Sequence, residues 1–418
     1  MRGVAGLVAA QALCCTATRM AMIAIPWFVL ESTGSSVSTG LVAFCEIGSY
    51  TLARLFGGPL LDRVGQRAVS VRTDLVAAGA VACVPLLHSA GLLPFPVLLA
   101  LVTVTGLATG PAEAAKVSMA PAVAERTGTR IERVTGLTGT VDRLSTTVGP
   151  VVAGGFVSLA GPLPALYANA VLLIAAAATL AATRPRDRPA PESDPEAGAG
   201  YLARLHTGWR VIWADATLRA LVVMLAVTNM IDMSVTSVLL PVWAHSNGMG
   251  PAVVGLMGGV MGGVMGAASV AGSLVATVAG HLLPRRAVFL AGLVVAGPPR
   301  LLVLALDVPL WAVLVVWGLC GPGGGVLNPI LGVVLFERLP RHVVGRGTAM
   351  VGALTRVAAP LGAPLVGVAL GLTGAAPVLV ACAALYLVSV LAPLVGRAVD
   401  GLDAPEPDPG SGRAGTPG

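Results

Sequence analysis

Stretches of about 20 mostly apolar residues follow one another along almost the whole chain, separated by short polar loops. An α-helix needs a segment of that length to cross the hydrocarbon core of a bilayer. Only 11% of the residues are charged and 56% are hydrophobic, whereas about a quarter of the residues of a soluble domain are charged. The chain is therefore predicted to be an all-α polytopic membrane protein.

Twelve membrane-spanning helices are predicted, six on either side of a polar segment. The first six cover residues 4–30, 37–61, 69–90, 95–120, 134–159 and 164–183. The second six cover residues 217–245, 251–279, 286–306, 309–335, 347–372 and 376–396. The predicted organisation is an N-terminal half (1–183), a cytoplasmic linker with an interfacial helix (184–216), a C-terminal half (217–400) and a disordered cytoplasmic tail (401–418).

Positive charge is confined to alternate loops. The loops around Gly91, Gly161 and Gly374 hold no Lys or Arg, whereas the loop with Arg63 and Arg67 and those that follow the fourth, eighth and tenth spans are basic. By the positive-inside rule, both termini are predicted to be cytoplasmic in a multi-pass protein of the cell membrane. The net charge of +6 is thus explained by the bilayer, without a nucleic-acid partner.

The linker ends in a segment with helical periodicity, Tyr201 to Asp215. Its apolar positions include Trp209 and Ile212, and Arg210 lies on the other side. This pattern suits a helix on the membrane surface, and a helix that covers the bundle is the alternative.

The two halves repeat each other in sequence. Four residues of the fifth and sixth spans recur 213 positions later: Arg143, Gly149, Gly161 and Pro164 correspond to Arg356, Gly362, Gly374 and Pro377. Pro26 and Gly40 recur 215 positions later, as Pro241 and Gly255. Two pseudo-symmetric six-helix halves that both start on the same side predict a cavity between them near the bilayer midplane.

The loop between the second and third spans reads Gly58-Pro-Leu-Leu-Asp62-Arg63-Val-Gly65-Gln-Arg67. It resembles the signature loop of the major facilitator superfamily, a family of twelve-helix transporters. The resemblance implies a conformational latch, in which Gly58 lets two helices approach and Asp62 accepts hydrogen bonds from a neighbouring helix end. An ordinary basic turn is the alternative.

The fifth span carries Gly149-Pro150 followed by Gly154-Gly155. This is similar to the antiporter signature of the drug exporters in that superfamily, with one residue more before the paired glycines. The fourth-span signature with a buried arginine is missing, and Lys116 is the nearest basic residue. The segment Ala24-Ile-Pro26-Trp27 is similar to bacterial macrolide-efflux and siderophore-export proteins.

These resemblances imply a proton-coupled exporter that moves small amphiphilic molecules, such as drugs or natural products, by alternating access and works as a monomer. An importer or uniporter of a small metabolite is the alternative within the family. A membrane scaffold or membrane-embedded enzyme is the alternative outside it. The chain lacks a Walker A motif and H-E-x-x-H spacing, so no enzyme activity, cofactor or metal is predicted.

Ionisable residues inside the spans are the predicted site, because each costs at least about 2.5 kcal/mol at the bilayer centre unless it has a partner or faces water. Arg19 and Asp232 lie 213 residues apart, at nearly equivalent points of the two halves. We expect them to approach each other across the cavity, with Asp232 as the protonation or cation-recognition site. A fixed structural ion pair is the alternative.

Further charged residues are secondary candidates for substrate binding or proton coupling. Glu46, Tyr50 and Arg54 follow at intervals of four and share a helix face. Glu113 and Lys116 are predicted to pair locally. Asp142 and Arg143 point in different directions, and Arg300 is expected to extend outward toward Asp307.

Glycines on the eighth span recur every four residues, at Gly258, Gly262 and Gly266, with Gly259 and Gly263 beside them. Such a stripe of small residues lets two helix backbones approach closely. Helix packing therefore explains it without a ligand.

Overall fold

The computed structural model describes residues 2–183, 209–210, 212–279, 285–306, 308–338 and 344–395. These residues form helices joined by short turns, arranged as twelve helical units of membrane length. In the N-terminal half they are α1 (Arg2–Thr33), α2 (Ser36–Phe56), α3 (Gln66–Ser89), α4 (Phe95–Ser118), α5 (Ile131–Ala160) and α6 (Pro162–Ala182). Short helices Gly58–Val64 and Ala120–Thr127 follow α2 and α4.

Several units of the C-terminal half are interrupted. The unit α7 consists of Ala216–Ser234, a π-helical turn at Val235–Leu239 and Leu240–Ser246. The others are α8 (Pro251–Ala279), α9 (Arg285–Ala296 with Pro298–Ala305), α10 (Leu310–Arg338), α11 (Val344–Val357 with Ala359–Thr373) and α12 (Ala375–Val395). Pro241 lacks an N–H to bond back along the helix, and Leu240 N–H bonds to Val235 O with the wider π spacing.

Local sequence explains where the helices begin and end. Ser35 caps α2 by accepting a hydrogen bond from Ser38 N at 3.2 Å, and Asp215 caps α7 by accepting from Thr217 N at 2.8 Å. Gly161 and Gly374 end α5 and α11 at φ +89° and +81°, a region that only glycine adopts readily. These two glycines belong to the predicted repeat and have the same backbone conformation.

Ten of the helical stretches are long and apolar enough to cross a membrane by length and composition alone. The remaining two units, α2 and α5, have 21 and 30 residues but are more polar. Of these two units, α2 packs against α11 and α5 packs against α8. The more polar spans are therefore those that join the two halves.

The two most extensive contacts between the halves are pseudo-symmetric copies of each other. A Cβ placed on Gly154 of α5 would lie 2.6 Å from Pro251 O and 2.8 Å from Gly255 Cα of α8. At the equivalent crossing, a Cβ on Gly367 of α11 would lie 2.6 Å from Ser36 O and 3.2 Å from Gly40 Cα of α2. The corresponding positions are 213 or 215 residues apart, so the repeat seen in the sequence is also a repeat in space.

The stripe on α8 contributes to one of these crossings. Cβ atoms on Gly258, Gly259 and Gly262 would contact Pro150, Val151 and Thr146 of α5. Gly263 lies near Thr147, whereas Gly266 faces open space. Close packing at the stripe is therefore confirmed, except at Gly266.

Among the described residues, the apolar core is continuous between the halves at one end only. We call the end with Arg63 and Arg67 the basic end, and the end with the turns at Gly161 and Gly374 the neutral end. One cluster that includes Trp27 of α1 and Trp243 of α7 joins both halves toward the neutral end. At the basic end each half has its own cluster, one around Leu7 and the other around Leu218.

Residues 184–208 and 396–418 lie outside the described residues. The first of these ranges includes Tyr201 to Gly208 of the predicted interfacial helix. Of the remainder of that segment, Ile212 is fully buried in the basic-end cluster of the C-terminal half. Trp209 and Trp213 stack with ring centroids 4.2 Å apart, and both are partly exposed. The end of this segment therefore covers the bundle through Ile212.

Candidate functional site

Glu113 of α4 is the centre of a polar network in the N-terminal half. Its Oε1 accepts a hydrogen bond from Thr18 Oγ1 of α1 at 2.9 Å, and its Oε2 accepts from Tyr50 OH of α2 at 2.6 Å. Arg54 NH1 lies 3.5 Å from the same Oε2 and donates to Tyr50 OH at 2.5 Å. Three helices thus share one carboxylate, which is only 15% exposed.

Lys116 pairs with Asp74 of α3, so the predicted local pair between Glu113 and Lys116 is wrong. Lys116 Nζ donates to the two Asp74 carboxylate oxygens at 2.9 and 2.7 Å, and both side chains are fully buried. Sequence reasoning missed Asp74, although its place inside the predicted span 69–90 marked it as an intramembrane acid. The distance to Lys116 depends on how α3 packs on α4, which spacing along one helix does not predict.

Asp232 of α7 pairs with Arg300 of α9, and this corrects two expectations. Arg300 NH2 donates to Asp232 Oδ1, so the acid partner expected for Arg19 is taken within the C-terminal half. Arg300 does not extend outward, because it is 5% exposed and its guanidinium lies 6.0 Å from the ring centroid of Trp317. Asp307 lies outside the described residues. The Asp232 side chain is 34% exposed.

Glu46 of α2 is half-buried, and among the described residues its carboxylate has no hydrogen-bond or ion-pair partner. It shares a helix face with Tyr50 and Arg54, as predicted from spacing, yet it does not join the Glu113 network. Asp142 and Arg143 of α5 are exposed.

Arg19 of α1 lies over Gly149 of α5. A Cβ on Gly149 would meet Arg19 Cγ at 2.8 Å and Cβ at 3.1 Å, so this position accommodates the arginine stem only because it is glycine. The guanidinium reaches Met22 Sδ at 3.5 Å, and Arg19 Nε is buried without a hydrogen-bond partner.

The predicted latch loop is shaped by Gly65 more than by Gly58. Gly65 has φ +91° and ends the short helix Gly58–Val64, whereas a Cβ on Gly58 would meet nothing within 4 Å. Among the described residues, no helix therefore approaches Gly58 closely, and its predicted part in the latch stays a prediction. Arg63 is exposed, and Arg67 donates to Leu180 O at 3.4 Å and to Ala181 O at the end of α6.

The Asp62 side chain lies outside the described residues, so its predicted latch role stays a prediction. The equivalent loop of the second half, Gly280 to Pro284, also lies outside them.

The antiporter-like motif on α5 is divided between two neighbours. Gly149 faces Arg19, while Pro150 and Gly154 contact α8 at the crossing between the halves. Gly155 faces open space. No group of three His, Cys, Asp or Glu side chains in the described part of the chain is placed to hold a metal ion.

Two pseudo-symmetric six-helix halves, with charged groups buried between apolar helices, are the organisation of a membrane transporter. The family profile described as Major Facilitator Superfamily matches residues 7–231 and 222–416. The chain belongs to this superfamily, and the predicted fold of twelve helices in two halves is confirmed. It is a multi-pass membrane protein.

Curated relatives include proteins named multidrug efflux pump Tap. The one from Mycobacterium tuberculosis is 28% identical over 368 residues, which cover 83% of this chain and 82% of the relative. The one from Mycolicibacterium fortuitum is 28% identical over 353 residues, with coverage of 83% and 84%. The predicted similarity to a drug-efflux branch of the superfamily is thus confirmed.

Solved structures show the same fold at low sequence identity. The nucleoside transporter NupG superposes with a TM-score of 0.68 at 15% identity, covering 94% of this chain and 99% of NupG. A POT family transporter in complex with 5-aminolevulinic acid gives a TM-score of 0.72 at 13% identity, covering 94% and 96%. These likenesses concern the fold alone.

Proposed function

We propose that this protein is a proton-coupled exporter of small amphiphilic molecules, and that it works as a monomer by alternating access. The observation that carries the proposal is the Glu46 carboxylate, which has no partner among the described residues. Glu46 lies on a span that joins the two halves, in a chain whose relatives are named multidrug efflux pumps. The basic end is cytoplasmic in this proposal, following the positive-inside rule.

Packing supports an inward-facing conformation. The α5–α8 and α2–α11 crossings and the shared apolar cluster hold the halves together toward the neutral end, and separate clusters fill each half at the basic end. In this arrangement the cavity opens toward the cytoplasm. Export then requires the two crossings to separate while the basic ends close.

Glu46 is the best candidate for the group that carries the proton. An ionised carboxylate without a partner has a high free-energy cost inside a membrane. Protonation of Glu46 removes that cost, so the two protonation states can favour different conformations. Glu113 already accepts hydrogen bonds from Thr18, Tyr50 and Arg54, so its carboxylate is held in a fixed network. Asp232 is the second candidate, because it is partly exposed but held by Arg300.

Inverted membrane vesicles test the coupling. Vesicles are energised, their internal acidification is followed with a pH-sensitive dye, and the release of protons is measured on adding lipophilic drugs. We expect release with the parent protein, loss with Glu46→Gln, and unchanged release with Glu132→Gln, a matched substitution at an exposed residue of the first turn of α5. Release that survives Glu46→Gln but not Asp232→Asn would move the coupling site to α7, and no release by the parent would contradict proton antiport.

A further inference from the structure

The environment of Arg19 indicates the charge of the molecules that the central site binds. We infer that the site takes amphiphiles with an anionic group, and that Arg19 pairs with that group. This inference rests on the proposed function, since it specifies the substrate class of the same site.

Arg19 is a half-buried cation without an acidic partner. Among the described residues no carboxylate lies within ion-pair distance of it, its Nε is buried without a hydrogen bond, and NH1 contacts only the weak acceptor Met22 Sδ. A guanidinium has five N–H donors and keeps its charge at every physiological pH. A buried charge of this kind needs a counter-charge, and no described residue supplies one to Arg19.

Among the described residues, the other half-buried or buried acids and bases of the spans have partners, with the exception of Glu46. Lys116 holds Asp74, Arg300 holds Asp232, and Glu113 is held by the Tyr50 and Arg54 network. Glu46 is the unpaired acid, and it lies nearer the neutral end than Arg19. Counting 1.5 Å per helical residue from Thr33 and from Ser36, Arg19 is about 21 Å and Glu46 about 15 Å below that end.

The position of α1 indicates that Arg19 faces the interior and not lipid. α1 packs against α2, α5 and α6 of its own half and contacts α7 and α8 of the other half. Residues 23–30 that follow on α1 are all buried, yet Met22 is 37% exposed. Arg19 and Met22 are three positions apart and share a helix face. Their face therefore presents a cation beside an apolar, flexible side chain to the space between the halves.

This pair of groups suits an amphiphile. The guanidinium can donate two parallel hydrogen bonds to a carboxylate, phosphate or sulfonate, and methionine adapts its shape to different apolar bodies. Gly149 leaves room for the arginine stem and so determines where the guanidinium lies.

Exposed arginines at equivalent positions of the two halves add positive charge on the path to this site. Arg143 of α5 and Arg356 of α11 are related by the 213-residue repeat, and both are exposed. An arginine in contact with hydrocarbon is costly, so we place both in the water-filled opening at the basic end. A cleft with charge of one sign raises the local concentration of oppositely charged ligands.

Two dyes with the same ring system test the inference by binding, without any gradient. Fluorescein is anionic and tetramethylrhodamine methyl ester is cationic, and fluorescence anisotropy measures binding of each to the purified protein in nanodiscs. Arg19→Gln is expected to weaken fluorescein binding roughly 10- to 100-fold, the usual worth of a charge-assisted hydrogen-bond pair, while changing rhodamine binding less than about twofold. Arg19→Lys retains the positive charge but cannot donate two parallel hydrogen bonds. Its affinity for fluorescein should lie between those of the parent and Arg19→Gln. Arg133→Gln, an exposed arginine in the first turn of α5, is the matched control.

The outcomes separate this inference from the proposed function. Any of three results would overturn the inference: Arg19→Gln weakens binding of both dyes equally, the parent prefers the cationic dye, or the parent binds neither dye. Transport of cationic drugs alone in energised vesicles would leave the exporter proposal standing and remove the anionic specificity. Arg19-dependent fluorescein binding without any transport would support the site and contradict the exporter proposal.

Discussion

Gly154 tests how tightly the two halves are held at the neutral end. In Gly154→Ala the new Cβ would lie 2.6 Å from Pro251 O, about 0.8 Å short of ordinary contact at 3.4 Å. The neighbouring atoms are backbone, so α5 and α8 must move apart. Overpacking of this kind typically costs about 1–3 kcal/mol. Because the strain exists only while the crossing is closed, the equilibrium should shift about 5- to 150-fold toward the form with an open neutral end.

Spin labels on opposite halves measure this shift. Leu92→Cys and Thr373→Cys are exposed positions at the neutral end, and in a background without the native cysteines their distance distribution reports the opening. The parent should show one short distance, and Gly154→Ala a second, longer one. Gly155→Ala is the matched control, because a Cβ there meets nothing within 4 Å. Identical distributions for Gly154→Ala and Gly155→Ala would show that the closed crossing at Gly154 does not hold the two halves together.

Three further predictions concern the ion pairs and the loop after α2. Lys116→Met should destabilise the protein by about 3–5 kcal/mol, since it leaves Asp74 buried without a partner, and thermal unfolding in detergent measures the loss. Combining Asp232→Arg with Arg300→Asp exchanges the two charges. This double variant should restore part of the transport that either single substitution removes, as measured by drug efflux. Gly65→Ala should lower thermal stability by about 1–3 kcal/mol, because its backbone conformation disfavours any side chain.

Each of these has a contradicting result. The buried-pair argument fails if Lys116→Met unfolds at the temperature of the parent. The pairing of Asp232 is contradicted if an exchange with Arg19, and not with Arg300, restores transport. The Gly65 argument fails if Gly58→Ala, where a Cβ faces open space, is equally destabilising.

Much of the fold could be predicted because membrane spans are recognised by length and apolar composition. The six-plus-six arrangement and the 213-residue repeat follow from such patterns, and equivalent crossings at Gly154 and Gly367 make the repeat visible in space. The breaks in α7 and α9 were not predicted. Pro241 explains the π-helical turn of α7 once it is seen, but a proline can kink, shift or end a helix.

The charged site was harder to predict, because side chains pair across helices whose rotation the sequence does not specify. Asp232 was expected opposite Arg19 from their equivalent positions, yet α9 brings Arg300 to it. Glu113 and Lys116 lie three residues apart on one helix, yet each forms its hydrogen bonds with residues of other helices. The presence of a charged residue inside a predicted span therefore identified many members of the ion pairs and networks. Which of these residues pair with each other follows only from the packing of the helices.

Transport by the purified protein in liposomes is the decisive test of proton-coupled export. A lipophilic drug is supplied on the cytoplasmic side of the reconstituted protein, and a pH gradient of either sign is imposed across the membrane. A proton-coupled exporter should move the drug away from that side only when protons flow toward it, and Glu46→Gln should abolish this dependence. Drug movement that ignores the proton gradient, or that follows protons in the same direction, would contradict a proton-coupled exporter.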